Sequence, residues 1–213
     1  MPNLPSSTLS EETIQRAADE FGFRLESNQL VCIQRYIRIL LQWNEKINLT
    51  AIRDPLEILY RHFCESMFGA RFLPSTECRL ADVGSGGGFP GLPLKIVRPD
   101  LTVFLVESNV KKATFLAEVA RELGLSEVRV LVSRYEELSE EITPLDVACS
   151  RALGEYSKFL EWAKSPVIDC RKVLFWLGGQ DLDEVRKDDS WKWEAVLVPH
   201  SIRRFVLTGN RAS

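Results

Sequence analysis

From Cys78 onward the chain alternates short, continuous apolar runs with amphipathic helical stretches, and this constrains the fold more than any other feature of the sequence. The runs are RLADV (79–83), TVFLV (102–106), VRVLV (128–132), LDVACS (145–150), VLFWL (173–177), EAVLV (194–198) and RRFVLT (203–208). Segments such as KATFLAEVARELG lie between the earlier ones. Strands that are apolar throughout belong in a sheet covered on both faces, and helix-length connections make neighbouring strands parallel. The last two runs are joined by PHSI (199–202) alone, too short for a crossover helix, so they form an antiparallel hairpin. The expected fold class is α/β: a doubly wound, Rossmann-like sheet of seven strands, six parallel plus one antiparallel, with an N-terminal helical extension.

Upstream of the strands the apolar period is helical. Thr8 with Glu11 has the pattern of a capping box for a helix running to Phe21 and closed by Gly22. Ser27 reads as the N-cap of a longer helix, with Leu30, Val31, Ile33, Ile37, Leu40 and Leu41 at helical spacing as far as Trp43. Asp54 and Pro55 read as N-cap and first-turn proline of a third helix through Phe72, and PST (74–76) as a turn. These signals divide the chain into a helical region, 1–75, packed on the core, and an α/β domain, 76–213.

The sequence is 45% hydrophobic and 27% charged, as an ordinary globular protein of 213 residues is. No apolar run approaches the roughly 18 residues of a membrane span. The N-terminus, MPNLPSSTLSEET, has neither the basic start nor the apolar stretch of a signal peptide, so a cytoplasmic location is expected. The five cysteines are scattered without a C-x-x-C pair and the two histidines make no H-E-x-x-H, so neither a disulfide framework nor a metal is expected. Nothing suggests an obligate dimer, and a monomer is expected. Formal net charge is −3, so a nucleic-acid partner would have to be held by a local basic patch.

The first strand runs into LADVGSGGGFPGLP (80–93), five glycines and two prolines after the strand's end. In an open α/β sheet this is where ligands bind, beyond the carboxyl ends of the strands. Gly86, Gly88 and Gly91 satisfy the literal dinucleotide pattern G-x-G-x-x-G. The second strand ends in Glu107, 23 positions after Gly84 and near the spacing of a carboxylate that accepts hydrogen bonds from ribose hydroxyls. Together these point to a nucleoside-containing cofactor. Pro90 and Pro93 remove N–H donors where a pyrophosphate needs them. After the third strand, Tyr135 and Glu136 are placed to flank an adenine. This favours S-adenosylmethionine, which has ribose and adenine but no phosphate, over NAD.

With these pieces in place the sequence resembles the RsmG (GidB) family of bacterial 16S rRNA guanine-N7 methyltransferases, from about Leu30 to the final hairpin. WNEKINLTAIRDPLEILYRHFCES (43–66) is similar to the family's W-N-x-x-x-N-L-T, D-P-x-E and H-x-x-D-S. ADVGSGGGFPGLPLKIVRPD (81–100) is similar to its cofactor loop, and VESNVKKATFL (106–116), SRYEEL and the CSRAL around Arg151 to its next signatures. The resemblance implies a class I methyltransferase sheet and transfer of methyl from S-adenosylmethionine to N7 of guanine 527, in the 530 loop of 16S rRNA, free or in the small ribosomal subunit. It implies cofactor contacts from Gly84, Ser85, Gly86, Gly88, Phe89, Glu107, Ser108, Tyr135, Glu136 and Arg151. Arg151 would act in catalysis by positioning, because guanine N7 already exposes a lone pair and its attack needs no general base. RNA contacts fall to Asn48, Arg53, His62, Lys111, Lys112, Arg203 and Arg204, with Arg61, Asn44 and Thr50 as further candidates, while Trp43 reads as core. The chain departs from the family's pattern at Glu65, usually aspartate, at Gly178–Gly179, commonly Lys-Gly, and at Thr208–Gly209, where a further lysine is common. Other readings of the residues are a methyltransferase of a different RNA or a small molecule, an NAD-dependent oxidoreductase, and a non-catalytic RNA-binding relative.

Overall fold

The computed structural model describes residues 9–138, 140–151 and 153–211. Helices come first. α1 (Glu11–Glu20) is N-capped by Ser10, whose Oγ accepts from Thr13 N at 3.2 Å, and it ends at Gly22, whose φ is +77°. The expected cap at Thr8 lies outside the described residues. α2 (Ser27–Asn44) is capped one residue before the expected position. Glu26, in extended conformation, shares a reciprocal capping box with Gln29, so Ser27 is the first helical residue. Asp54 caps the third helical run as expected, through Glu57 N at 2.7 Å. That run is not uniform. It passes from α3 (Pro55–Ile58) through a π-helical turn, Leu59–Cys64, into α4 (Glu65–Phe68) and a 3-10 turn, Gly69–Phe72.

The seven strands are β1 (Arg79–Val83), β2 (Thr102–Val106), β3 (Val128–Leu131), β4 (Val147–Ser150), β5 (Lys172–Gly178), β6 (Trp191–Leu197) and β7 (Arg204–Arg211). They form one sheet in the order β3-β2-β1-β4-β5-β7-β6. The pairs β1–β2, β1–β4, β2–β3 and β4–β5 are parallel, and β7 runs antiparallel to both neighbours. Six strands thus share one direction and the seventh is reversed. The helices between them are α5 (Gly91–Val97), α6 (Val110–Glu122), α7 (Tyr156–Lys164) and α8 (Gly179–Val185).

Successive strand residues face opposite sides, and two apolar clusters result. Leu80, Val103, Leu105, Val147, Cys149, Leu174 and Trp176 pack with α1, α2, the 55–72 run, α5 and α6. Ala81, Phe104, Ala148, Val173, Phe175 and Leu207 pack with α7 and α8 on the other face. The N-terminal helices therefore complete one whole face of the sheet. Gly69 marks how closely they approach, since a Cβ there would lie 2.2 Å from the Trp176 ring.

Candidate functional site

The site is built at the carboxyl ends of β1, β2 and β4, on either side of the change in strand order. β1 passes directly into the glycine loop, where Gly84, Gly86 and Gly88 all have positive φ. At Gly88, φ +84°, an added Cβ would also sit 2.1 Å from the Tyr36 hydroxyl oxygen and 2.6 Å from Leu92. Only glycine fits there. The loop is held from behind by α2: the Tyr36 hydroxyl, fully buried, donates to Gly87 O at 2.6 Å.

Asp82, the last polar residue of β1, is fully buried, and its Oδ2 accepts from Gly91 N at 2.9 Å. Pro90 and Pro93 carry no N–H, and Gly91's is engaged by a protein carboxylate. The start of α5 is thus closed to the pyrophosphate that a dinucleotide fold would seat there. Burial pushes the Asp82 carboxyl up to about 7, against the pull of the Gly91 N–H and of nearby Arg151. Asp82 was not among the residues singled out by sequence; a lone carboxylate in an apolar strand, two positions before the first glycine, was the available signal.

Beside the loop lies a cavity of about 300 Å³, lined by Gly84, Glu107, Ser108, Tyr135 and Glu136 together with Val83, Val106, Ser133, Arg134 and Leu153. The ends of β1, β2 and β3 converge on it. Glu107 is preset by its neighbours: Oε2 accepts from Gly86 N at 3.0 Å and Oε1 from Asn109 N at 2.8 Å. Each carboxylate oxygen retains a lone pair for a ligand hydroxyl. Tyr135 packs edge-on against Trp162, and burial raises its hydroxyl to about 12, so it stays protonated.

Four loop residues expected at the cofactor, Ser85, Gly86, Gly88 and Phe89, do not line this cavity; Gly86 donates its N–H to Glu107. Ser85 is buried and donates from Oγ to Asp82 O, and Gly88 packs against Tyr36 and Leu92. Phe89 lies between Tyr36, stacked at 5.5 Å, and His62, stacked at 4.8 Å, with Phe63 edge-on at 5.3 Å. His62 Nε2 is 2.7 Å from the Thr50 hydroxyl. Burial, and after it the positive charges of Arg151 and Arg61, hold the imidazole down to about 3, so it is neutral throughout the physiological range.

Arg151 follows β4 and faces the 55–72 run rather than the cavity. Its Nη2 donates to Arg61 O, and its Nη1 reaches His62 O at 3.4 Å and Ser66 Oγ at 3.3 Å. The π-helical turn thus offers its carbonyls to a guanidinium from another element, the kind of local irregularity found at functional sites. Burial lowers Arg151 to about 10, still protonated at neutral pH. Glu65, 3% exposed, is the common counter-ion. Oε1 accepts from Arg204 Nε at 2.8 Å and Nη2 at 2.7 Å, Arg61 Nε lies 3.1 Å away, and Oε2 is 3.4 Å from Arg151. One carboxylate faces three guanidiniums, leaving two positive charges in excess. Gly178, opposite Arg204 in the β5–β7 register, presents only hydrogen to open space.

The remaining candidates are dispersed. Asn48, Arg53, Lys111 and Arg203 are exposed and Lys112 is half-buried. Arg53 donates to Asn44 O at 2.9 Å, and Asn109 caps the backbone of Lys111 and Lys112. Asn44 is buried scaffolding, its side chain bonded to Leu49 N, Thr50 N and Thr50 O. Trp43 is half-buried and donates from its indole N–H to Glu118 at 3.0 Å.

Solved structures share this fold. A SAM dependent methyltransferase from Aquifex aeolicus superposes with a TM-score of 0.57 at 18% identity, covering 75% of this chain and 94% of that one. The METTL16 MTase domain superposes with a TM-score of 0.57 at 13% identity, covering 98% and 94%. The sheet is therefore that of class I methyltransferases. In sequence, the ribosomal RNA small subunit methyltransferase G of Xylella fastidiosa is 48% identical over 98% of this chain and 96% of its own. That of Dichelobacter nodosus is 40% identical over 72% of each. A family model described as rRNA small subunit methyltransferase G (GidB) matches residues 29–206, and the chain belongs to that family.

Proposed function

We propose that this protein transfers the methyl group of S-adenosylmethionine to N7 of guanine 527, in the 530 loop of 16S rRNA, in the cytoplasm. The observation that carries the reading is the cavity at the ends of β1 to β3, with Glu107 preset on one wall and Tyr135–Glu136 on another, in a chain of this family. The residues fit the cofactor: Glu107 for the ribose hydroxyls, Tyr135 and Glu136 for the adenine, and the backbone at Gly84 for close approach. Asp82 closes the α5 N-terminus, which a phosphate-free nucleoside does not need. On this reading residues 1–75 are a helical region that backs the loop and 76–213 are the methyltransferase domain.

The bound cofactor supplies an activated methyl on a sulfonium. The protein's part is alignment, because guanine N7 presents its own lone pair and no proton has to be moved. Arg151, fixed by Arg61 O, His62 O and Glu65, positions the π-helical turn and the adjoining cluster. Neutral His62, stacked on Phe89, provides an uncharged aromatic edge for a base, and the two excess positive charges near Glu65 hold RNA phosphate. The test is the 7-methylguanine content at that position in a strain deleted for this gene and in the same strain carrying it again. Loss and restoration are expected; an unchanged level after deletion refutes the assignment.

A further inference from the structure

At the outer end of the β6–β7 hairpin Ile202 stands 94% exposed, whereas the other exposed large hydrophobics among the described residues are 40–65% exposed. The turn that carries it is firmly built. Val198 N donates to Arg204 O at 2.9 Å and Ser201 N to Val198 O at 3.1 Å, while Ser201 Oγ accepts from Arg203 N and Arg204 N. His200, at φ +59°, anchors the turn to the end of α1, its ring 5.6 Å from Phe21 and its Nε2 3.4 Å from Glu20. A branched apolar side chain is thus held in water by a fixed backbone, between a buried serine and two arginines.

The hairpin end lies on the same side of the sheet as the glycine loop. Gly179 N donates to Arg203 O at 3.0 Å, and Arg204 shares the Glu65 carboxylate with Arg151. In the order β1-β4-β5-β7, three strand spacings separate the glycine loop from Arg204, roughly 14 Å. A few nucleotides of single-stranded RNA span that distance. Arginines complement phosphates, and an exposed branched side chain between them complements the apolar faces of bases. Proteins that unstack nucleic acids combine these two features, and a base in a folded loop has to leave its stack to be presented in line.

We propose that Ile202 is a wedge that inserts between stacked bases of the RNA substrate near the guanine to be methylated, with Arg203 and Arg204 holding the flanking phosphates. This rests on the rRNA methyltransferase reading above. The experiment compares wild type, Ile202→Ala and Ile202→Phe in transfer of labelled methyl to 16S rRNA, free and in small subunits, from a gene-deleted strain. Ile202→Ala should lower kcat/KM about tenfold or more on each form that wild type methylates, with cofactor affinity by calorimetry and melting temperature unchanged. Ile202→Phe, which also stacks between bases, should keep at least half of the wild-type value. Arg203→Ala should reduce the slope of log affinity against log salt by about one, and Ile202→Ala should leave it unchanged. Ile202→Ala within twofold of wild type overturns the wedge while leaving the methyltransferase assignment intact. Loss of activity in Ile202→Phe as well indicates a shaped protein socket and overturns it too. Wild-type protein that methylates neither form refutes the assignment itself, and the wedge with it.

Discussion

Lowering the pH from 7 to 5 acts on His62 and Asp82 in opposite directions, so removing either group unmasks the other. The folded-state value of His62 is about 3 against an ordinary 6.5, so in this window the unfolded chain takes up the proton and stability is lost as pH falls. At pH 5, one and a half units below the ordinary value and at about 1.4 kcal/mol per unit, the loss is about 2 kcal/mol. Asp82 is displaced the other way, to about 7 from 3.8, so the folded chain takes up the proton first and stability is gained as pH falls from 7 toward 4. Over the same two units the gain is about 2 to 3 kcal/mol. Urea unfolding of wild type, His62→Gln and Asp82→Asn at pH 7, 6 and 5 reads both contributions. Titrations elsewhere in the molecule are common to all three proteins and drop out of the differences. Relative to wild type, Asp82→Asn should lose about 2 to 3 kcal/mol on acidification and His62→Gln should gain about 2 kcal/mol. Three parallel profiles would show that neither group is held away from its ordinary value, and the account of both burials would fail.

Three further outcomes follow from single contacts. Glu65→Gln keeps the side chain's shape but leaves three guanidiniums without a counter-charge; a loss of about 3–5 kcal/mol lowers the melting temperature by roughly 6–20 °C for a chain of this size, and Glu65→Asp should recover part of it. Tyr36→Phe leaves the Gly87 carbonyl without its buried partner, costing about 1–3 kcal/mol, and calorimetry should show weaker binding of S-adenosylmethionine, since Gly87 lies in the loop. Gly88→Ala should be worse than Tyr36→Phe and should not be rescued in a Tyr36→Phe background, because the Leu92 clash at 2.6 Å and the φ of +84° remain.

How much was legible from sequence follows from which interactions are local. β1 and β2 fall at the expected residues because buried parallel strands are continuous apolar runs with sharp ends, and the edge strand β3 differs by one. The loop and Glu107 were legible because a strand end and a glycine cluster fix their place without help from distant residues. The π-helical turn was not. Its carbonyls at Arg61 and His62 accept from Arg151, about 90 positions away, and the local sequence LYRHFC reads as ordinary helix. Phe89 shows the same limit: its position in the loop suggests the cofactor, but its stacking on Tyr36 and His62, from two other elements, is not written in the local sequence. Asp82 is not marked out within the RLADV run because its partner, the Gly91 N–H, becomes available only once the loop has folded back.

The arrangement of charge carries one more consequence. The chain as a whole is at −3, yet Arg61, Arg151 and Arg204 converge on a single carboxylate and leave a local excess of two positive charges. A polyanion is therefore repelled by the molecule on average and attracted where the arginines converge. The neighbouring titratable groups leave this contrast intact. His62 is held neutral, and Arg151 stays protonated at neutral pH despite its burial. Glu65 keeps the cluster from repelling itself apart without cancelling it: a second carboxylate would remove half of the excess, and losing this one would leave three half-buried like charges side by side. One acid among three bases is thus the composition that both folds and attracts, which is why the longer reach of glutamate, able to touch guanidiniums from the 55–72 run, the end of β4 and β7 at once, suits this position.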